Sequence, residues 1–337
     1  MRILVAAHHT WGVVCLDELV RTGRNVVAVI TYPDSFELQA GPYYEVWYES
    51  VKCCAERHGI PVLQPSDINS PDCRALIADL APDIIVNVAY GQIYKAAILE
   101  IPPLGIVNLH GSLLPKYRGT TPIVSAILNG DNEVGVSLHF ISDRIDEGDI
   151  ILQRSIVISD DDYPDDVFAK TLPLYPQMLS EGLSQLETGP PQRTPQKSAG
   201  ASYYPRRERR SEEIDWNGNA LQICNFIRAL SYPFRGAYTY YERQPLIIWR
   251  AALLDNVDCH IGFPGQVISR SEHGVIVKTK DTALSLLQVE SADRRRMPAN
   301  QFLGRRSVGH RLGLDFDAEL RSLSDRVKAL EESRADR

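Results

Sequence analysis

Short apolar runs alternate with amphipathic segments in the first part of the chain, and this alternation limits the fold more than any other feature. The apolar runs at residues 3–7, 25–31 and 83–88 have the length of buried strands. Residues 13–22 have the spacing of an amphipathic helix, and Gly23 is a suitable helix stop. Strands separated by helices in this way predict an α/β protein with a Rossmann-like, doubly wound parallel sheet.

The turn after the first strand argues against a dinucleotide cofactor and against a metal site. It contains a single glycine, Gly12, where a dinucleotide fingerprint needs three. His8 and His9 are adjacent, so their side chains point in opposite directions at a strand end. The aspartates at 160–166 lack EF-hand spacing, and the six cysteines include no C-x-x-C pair. We therefore expect no metal, no disulfide framework and a reduced, cytoplasmic protein.

The second half of the chain has a different pattern, which predicts a separate small β domain. The 337 residues are 44% hydrophobic, enough for two cores. The α/β domain is predicted at 1–187, and residues 188–205, rich in proline, glycine and serine, are predicted to be a linker. Five short strand-like runs separated by turn signals then predict an OB-like β-barrel over 206–312. The charged tail at 313–337 is predicted to be a helix with an apolar stripe, which leaves a homodimer open.

Charge and hydropathy disfavour two classes of partner. The formal net charge is -7, whereas a nucleic-acid surface needs clustered positive charge. We interpret the basic run at 206–210 as a solvated loop. No apolar run approaches the roughly 20 residues that span a membrane. The N-terminal run is also too short for a secretory signal, so neither a nucleic acid nor a membrane is an expected partner.

Polar side chains capable of acyl-transfer chemistry follow at the predicted carboxyl edge of the sheet. Asn108 and His110 are two residues apart in an extended segment, so they face the same side. An acidic turn follows, in which Asp146 or Asp149 supplies a carboxylate. An amide, an imidazole and a carboxylate can together hold a carbonyl oxygen and move a proton. Since no nucleophile-elbow motif is present, direct transfer of an acyl group to an amine is favoured over a covalent acyl-enzyme.

The same stretch resembles a known enzyme family, the folate-dependent N-formyltransferases. The resemblance rests on the residues at 108–115, 117–119, 135–138 and 146–149. It continues more weakly at 211–216 and 233–237, and covers about residues 1–312. The family includes methionyl-tRNA formyltransferase and the sugar-nucleotide N-formyltransferases. The chain is therefore expected to be a formyltransferase with N10-formyltetrahydrofolate as its donor.

The resemblance also implies roles for individual residues. Asn108, His110 and Asp146 are the expected catalytic residues, because the family's acid is the first aspartate of the turn. The pteridine ring of the donor is expected to lie against the backbone of residues 90–94 and 142–146. In the first of these segments, Gly91 permits close approach. The donor-binding residues implied in this way are Tyr90, Gly91, Gln92, Ile93, Tyr94, Asp143 and Asp146.

The acceptor amine is predicted from the finer points of the resemblance. The opening residues and the run at 108–119 are most similar to the formyltransferase half of the bifunctional enzyme that formylates UDP-4-amino-4-deoxy-arabinose. The loop at 32–48 carries acidic residues and no lysine or arginine, so it is expected to repel a tRNA backbone. We therefore predict a nucleotide-linked amino sugar as acceptor. Its expected contacts are His9, Ser112, Lys116, Arg118 and Arg206.

Other functions are compatible with the same residues. The acceptor could instead be an amino-acid-derived amine of the N-hydroxyornithine type, or methionyl-tRNA. A folate hydrolase is an alternative enzyme. A folate-binding regulatory protein without turnover is the alternative outside enzymes, and the presence of all of Asn108, His110 and Asp146 speaks against it.

Overall fold

The computed structural model describes residues 1–33, 50–205, 212–254 and 261–313, together with Ser324 and Val327. The chain divides into two compact units, Met1–Arg207 with Pro233–Arg235 and Glu208–Tyr232 with Gly236–Arg337. Arg206, nearly all of the predicted acidic loop and most of the predicted tail helix lie outside the described residues. No described helix has the length and apolar character needed to cross a membrane.

The first unit is built on a seven-stranded sheet with the order β3-β2-β1-β4-β5-β7-β8. Strands β1 to β5 pair in parallel, whereas β7 runs antiparallel to both β5 and β8. This sheet confirms the predicted Rossmann-like α/β fold. The strands are β1 (Arg2–Ala7), β2 (Asn25–Ile30), β3 (Val62–Leu63), β4 (Ile84–Val88), β5 (Ile106–His110), β7 (Glu133–Phe140) and β8 (Ile150–Val157), and a short β6 (Arg118–Gly119) pairs outside it with β9 (Tyr203–Tyr204).

Helices cover both faces of this sheet, as the crossovers between parallel strands require. On β1, Ile3, Val5 and Ala7 belong to one hydrophobic cluster, and Leu4 and Ala6 belong to the other. The helices of the unit are α1 (His9–Arg21), α2 (Val51–Arg57), α3 (Pro71–Asp79), α4 (Ala96–Leu99), α5 (Pro122–Asn129), α6 (Pro164–Thr171) and α7 (Leu174–Thr188).

The structure moves the start of one predicted helix and shows where a second one breaks. Helix α1 begins at His9 rather than at residue 13, because its first turn carries Trp11 as its one large apolar residue and so shows no apolar periodicity. The sequence pattern at 167–186 predicts a helix that Pro173 and Pro176 break or kink, and the structure has two helices there, α6 and α7. Pro173 stands at the N-cap of α7 and Pro176 within its first turn, where the missing N–H has no helical partner to lose.

The second unit contains an antiparallel sheet with the order β10-β11-β14-β13-β12, to which β15 adds beside β14. All five predicted strands are present, and β15 was not predicted because it is short and begins with a charged residue. The β-rich second unit is therefore confirmed, while closure into an OB-like barrel stays a prediction. Its elements are α8 (Ala220–Leu230), β10 (Ala237–Tyr241), β11 (Gln244–Leu253), β12 (Val267–Arg270), β13 (Val275–Lys278), β14 (Ala283–Glu290), β15 (Arg296–Pro298), α9 (Ala299–Phe302) and a 3-10 helix (Arg305–Ser307).

Candidate active site

The register of three neighbouring strands places polar side chains side by side near the carboxyl end of β5. Asn108 pairs with Asn87 of β4 on one side and with His139 of β7 on the other. Paired residues of neighbouring strands present their side chains on the same face of a sheet. Asn108, His110 and His139 are all buried, so their hydrogen bonds decide whether this polar row is tolerated.

The side chain of Asn108 is hydrogen-bonded on both sides. Its Oδ1 accepts from Nδ2 of Asn87 at 2.8 Å, and its Nδ2 lies 3.1 Å from Nε2 of His139. Nδ1 of His139 lies 2.8 Å from the carbonyl oxygen of Phe140, so this nitrogen carries the ring proton and Nε2 is the acceptor. Burial lowers the pKa of His139 to about 4 against the opposing attraction of Asp146, so the ring is neutral near pH 7.

The imidazole of His110 lies between a backbone carbonyl and the carboxylate of Asp146. Its Nε2 is 2.8 Å from the carbonyl oxygen of Tyr117, and its Nδ1 is 3.6 Å from Oδ2 of Asp146. Both ring nitrogens therefore face oxygen atoms that can accept a hydrogen bond. The ring stands edge-on to that of His139, with centroids 6.2 Å apart.

The carboxylate of Asp146 reaches the same place from the turn between β7 and β8. Its Oδ2 accepts the backbone N–H of Gly119 at 2.8 Å, and its Oδ1 lies 3.6 Å from Nε2 of His139. Oδ1 accepts no hydrogen bond from the described part of the chain. Asp146 has a φ of 53°, a left-handed conformation that aspartate adopts more readily than most residues. The structure thus brings together the predicted set of Asn108, His110 and Asp146.

Residues from the predicted linker hold the Asp146 turn. Nε2 of Gln196 donates to the carbonyl oxygens of Asp146 and Gly148 at 2.7 and 2.8 Å. Oε1 of Gln196 accepts from Nε of Arg118 at 3.1 Å. The Arg118 guanidinium also contacts Glu147 at 3.2 Å and the Tyr203 hydroxyl. The segment predicted to be a linker therefore lies within the first unit and supports the carboxylate.

Several residues of the predicted donor-binding segment between β4 and α4 already make contacts within the protein. The Tyr90 ring stacks on Tyr32 at 4.7 Å, and the Tyr32 hydroxyl accepts the Gly91 N–H at 3.1 Å. Burial raises the pKa of Tyr90. The Gln92 side chain accepts the N–H of Ile68 at 2.7 Å, and Ile93 is 65% exposed.

The remaining predicted donor contacts differ in exposure. Tyr94 is buried and donates its hydroxyl to Oδ1 of Asn87 at 2.7 Å. Asp143 is exposed on the turn that leads to Asp146. Exposed Ile93 and Asp143 are accessible to a ligand, whereas the Gln92 and Tyr94 side chains are engaged within the protein.

The predicted acceptor-binding residues have very different surroundings. Burial lowers the pKa of His9 to about 3, with a further contribution from His8, so this ring is neutral. Ser112 is fully buried and donates to the Lys116 carbonyl at 2.7 Å. Nζ of Lys116 lies 3.3 Å from Asp131 on the surface. Arg118 is buried in the network described above, and Arg206 lies outside the described residues.

Three contributing residues were not predicted from the sequence. Asn87 is a polar residue in an otherwise apolar strand, and that interruption was the available signal. His139 lies in β7, where apolar and other residues alternate, so the pattern predicts an exposed side chain. In the structure His139 is buried like its neighbours. Gln196 carries no local signal, because its partners are 48 and 50 residues away.

The arrangement suits addition of an amine to an activated carbonyl. The Asn108 amide and the His110 imidazole can donate hydrogen bonds to an oxygen that gains negative charge. Oδ1 of Asp146 is available to accept a proton, while Oδ2 faces Nδ1 of His110. The three groups therefore supply oxyanion binding and proton transfer without a covalent nucleophile.

Comparison with known proteins finds formyl transferases for both parts of the chain. The family model for Formyl transferase matches residues 1–183, and that for Formyl transferase, C-terminal domain, matches residues 208–307. Methionyl-tRNA formyltransferase of Caldanaerobacter subterraneus subsp. tengcongensis is 36% identical over 315 residues, which cover 93% of this chain and 98% of that protein.

Solved structures of formyltransferases share the fold. A sugar 3N-formyl transferase in the presence of dTDP and 5-N-formyl-THF has a TM-score of 0.64 and 19% identity, covering 88% of this chain and 99% of that chain. An N-formyltransferase from Helicobacter canadensis, in complex with folinic acid and dTDP-3-aminofucose, has a TM-score of 0.61 and 20% identity, covering 84% and 98%.

Proposed function

Because the chain belongs to the formyl transferase family, we propose that it moves a formyl group from N10-formyltetrahydrofolate to the primary amine of a small molecule. The observation that carries this proposal is the placement of the Asp146 carboxylate 3.6 Å from the imidazoles of both His110 and His139, beside the Asn108 amide. Folate derivatives bound to two structural neighbours support the choice of donor. The exposed residues Ile93 and Asp143 are the proposed points of contact with it.

The proposed reaction is a direct transfer through a tetrahedral intermediate. The amine nitrogen bonds to the formyl carbon, and the carbonyl electron pair moves onto oxygen, where Asn108 and His110 donate hydrogen bonds. Asp146 accepts the proton that the amine loses. When the intermediate collapses, the carbonyl re-forms, the bond from carbon to N10 breaks, and N10 takes up the proton that Asp146 had accepted. The products are the formylated amine and tetrahydrofolate.

We further propose a nucleotide-linked amino sugar as acceptor. Residues 32–48 include Asp34, Glu37 and Glu45 but no lysine or arginine, and the net charge of the chain is -7. Both features oppose binding of a polyanionic RNA. One structural neighbour is named for sugar formylation and another binds an amino-sugar nucleotide, in agreement with this proposal.

Methionyl-tRNA is the second candidate acceptor. The specific observation in its favour is 36% identity to a methionyl-tRNA formyltransferase over nearly the whole of both chains.

Substitutions in the catalytic set test the formyl transfer. His110→Ala and Asp146→Asn are each expected to lower turnover by at least about 10³-fold, because each removes proton transfer or oxyanion binding. Formylation is followed by mass spectrometry of the product, and circular dichroism monitors the fold. Asp149→Asn, in the same turn, is the matched control and is expected to retain most of the activity. Near-normal turnover in Asp146→Asn with loss in Asp149→Asn would reverse the assignment of the carboxylate.

A substrate panel tests the acceptor. The protein is incubated with N10-formyltetrahydrofolate and, separately, with UDP- and dTDP-linked amino sugars, N-hydroxyornithine and methionyl-tRNA. A mass increase of one formyl group on an amino-sugar nucleotide is the expected outcome. Formylation of methionyl-tRNA alone would refute the sugar acceptor, and wild-type rates in both His110→Ala and Asp146→Asn would refute enzymatic transfer at this site.

A further inference from the structure

An asparagine interrupts the apolar interior of β4. Ile84, Ile85, Val86 and Val88 are fully buried apolar residues, whereas Asn87 buries an amide among them. A buried amide destabilises a protein unless its hydrogen bonds are made, so its partners indicate its role. Those partners are Tyr94 on one side and Asn108 on the other.

The hydrogen bonds form a chain with a fixed direction. The hydroxyl of Tyr94 donates to Oδ1 of Asn87 at 2.7 Å, and Nδ2 of Asn87 donates to Oδ1 of Asn108 at 2.8 Å. At the far end, the Phe140 carbonyl holds the proton of His139 on Nδ1, so Nε2 must accept. The atom of Asn108 that faces Nε2 is therefore Nδ2, which turns its Oδ1 towards Nδ2 of Asn87 and leaves Oδ1 of Asn87 to accept from Tyr94.

This orientation decides what Asn108 can offer a substrate. Its only acceptor atom, Oδ1, is already used by Asn87, and one N–H of Nδ2 is directed at His139. The second N–H makes no hydrogen bond with the described residues. An oxygen that gains negative charge needs a donor, so this orientation leaves Asn108 with the group that the transition state requires. The opposite orientation would present a carbonyl oxygen and repel the oxyanion.

We propose that Asn87 and Tyr94 are positioning residues for formyl transfer, which fix the amide of Asn108 as a hydrogen-bond donor. Neither touches the reacting atoms, and both act through Asn108. The inference rests on the proposed function and extends it to a strand and a loop outside the catalytic set. It also gives the buried hydroxyl of Tyr94 a role other than contact with the donor.

A double-mutant cycle tests this inference. Tyr94→Phe removes one oxygen, and Asn87→Leu removes the amide at similar volume. We expect kcat to fall about 5-fold in Tyr94→Phe and about 50-fold in Asn87→Leu, with KM for both substrates changed less than twofold. In an Asn108→Ala background the same two changes are expected to have no further effect on kcat, because the group they position is gone.

The controls separate this inference from the proposed function and from misfolding. Tyr240→Phe removes the same atom from a half-buried tyrosine of the second unit and is expected to leave kcat unchanged. Thermal unfolding identifies variants that fail to fold, and Tyr94→Phe keeps the test decisive if Asn87→Leu is one of them. Equal losses of kcat in the wild-type and Asn108→Ala backgrounds would overturn this inference alone. Absence of formyl transfer by the wild-type protein would overturn the proposed function and this inference together.

Discussion

The groups of the candidate site arrive by two different routes. Asn108 and His110 lie on β5, which is paired on one side with β4 and on the other with β7. Asp146 lies on a turn in a left-handed conformation, held by the N–H of Gly119 and by Gln196. The core of the sheet thus fixes the amide and the imidazole, whereas a few contacts from distant residues fix the carboxylate. The carboxylate side of the site is expected to be the more sensitive to changes outside the catalytic set.

Outside the catalytic set, the largest expected effect comes from a methyl group added to the turn that carries Asp146. A Cβ at Gly148 would lie 1.8 Å from the Phe140 carbonyl oxygen, so Gly148→Ala must displace the turn that carries Asp146. We expect kcat/KM to fall at least about 100-fold and the free energy of unfolding to fall by about 2–4 kcal/mol. Gly304→Ala, where an added Cβ meets nothing within 4 Å, is the control. A Gly148→Ala enzyme with normal kcat/KM would show that the turn tolerates displacement.

The strand side of the site is tested through the pH dependence of stability. Since burial lowers the pKa of His139 from 6.5 to about 4, the unfolded chain binds the proton more tightly than the folded protein. The contribution of neutral His139 to the free energy of unfolding is therefore complete above pH 6.5 and is lost as the pH falls towards 4. Its upper limit is about 3 kcal/mol. Urea unfolding of wild type and His139→Gln between pH 4 and 7 measures it.

Comparing the unfolding curves of wild type and His139→Gln isolates the contribution of His139 to the pH dependence. His8 also has a pKa lowered to about 4 by burial, but it contributes equally to both curves. We expect the His139→Gln curve to be the shallower of the two. Parallel curves would mean that His139 does not titrate in the folded protein as its burial implies.

A smaller effect is expected when the support of the turn is weakened without a steric clash. Gln196→Ala removes the hydrogen bonds to the carbonyls of Asp146 and Gly148. We expect kcat/KM to fall about 10-fold and the free energy of unfolding by about 1–2 kcal/mol. Gln301→Ala, on an exposed helical position, serves as the matched change. If both variants retain wild-type kcat/KM, the turn holds Asp146 without help from residues 188–205.

Sequence reasoning predicted the strand side of the site better than the turn side. A two-residue spacing on a strand is a local pattern, so the common face of Asn108 and His110 followed from periodicity. The carboxylate was assigned to Asp146 through a family resemblance, and its neighbour Asp149 carried the same local signal. Gln196 has the composition of a linker, and only the folded chain brings it to the turn. Long-range contacts of this kind leave no periodic trace.

The place of residues 188–205 within the first unit has a practical consequence for dissecting the chain. A fragment cut at residue 187 would retain all of β5 and the Asp146 turn, yet it would lack Gln196 and the strand partner of β6. Such a fragment would keep its catalytic groups and lose the hydrogen bonds from Gln196 that hold the Asp146 turn. The shortest autonomous version of the α/β unit must therefore extend at least through Tyr204, well beyond the point where composition changes.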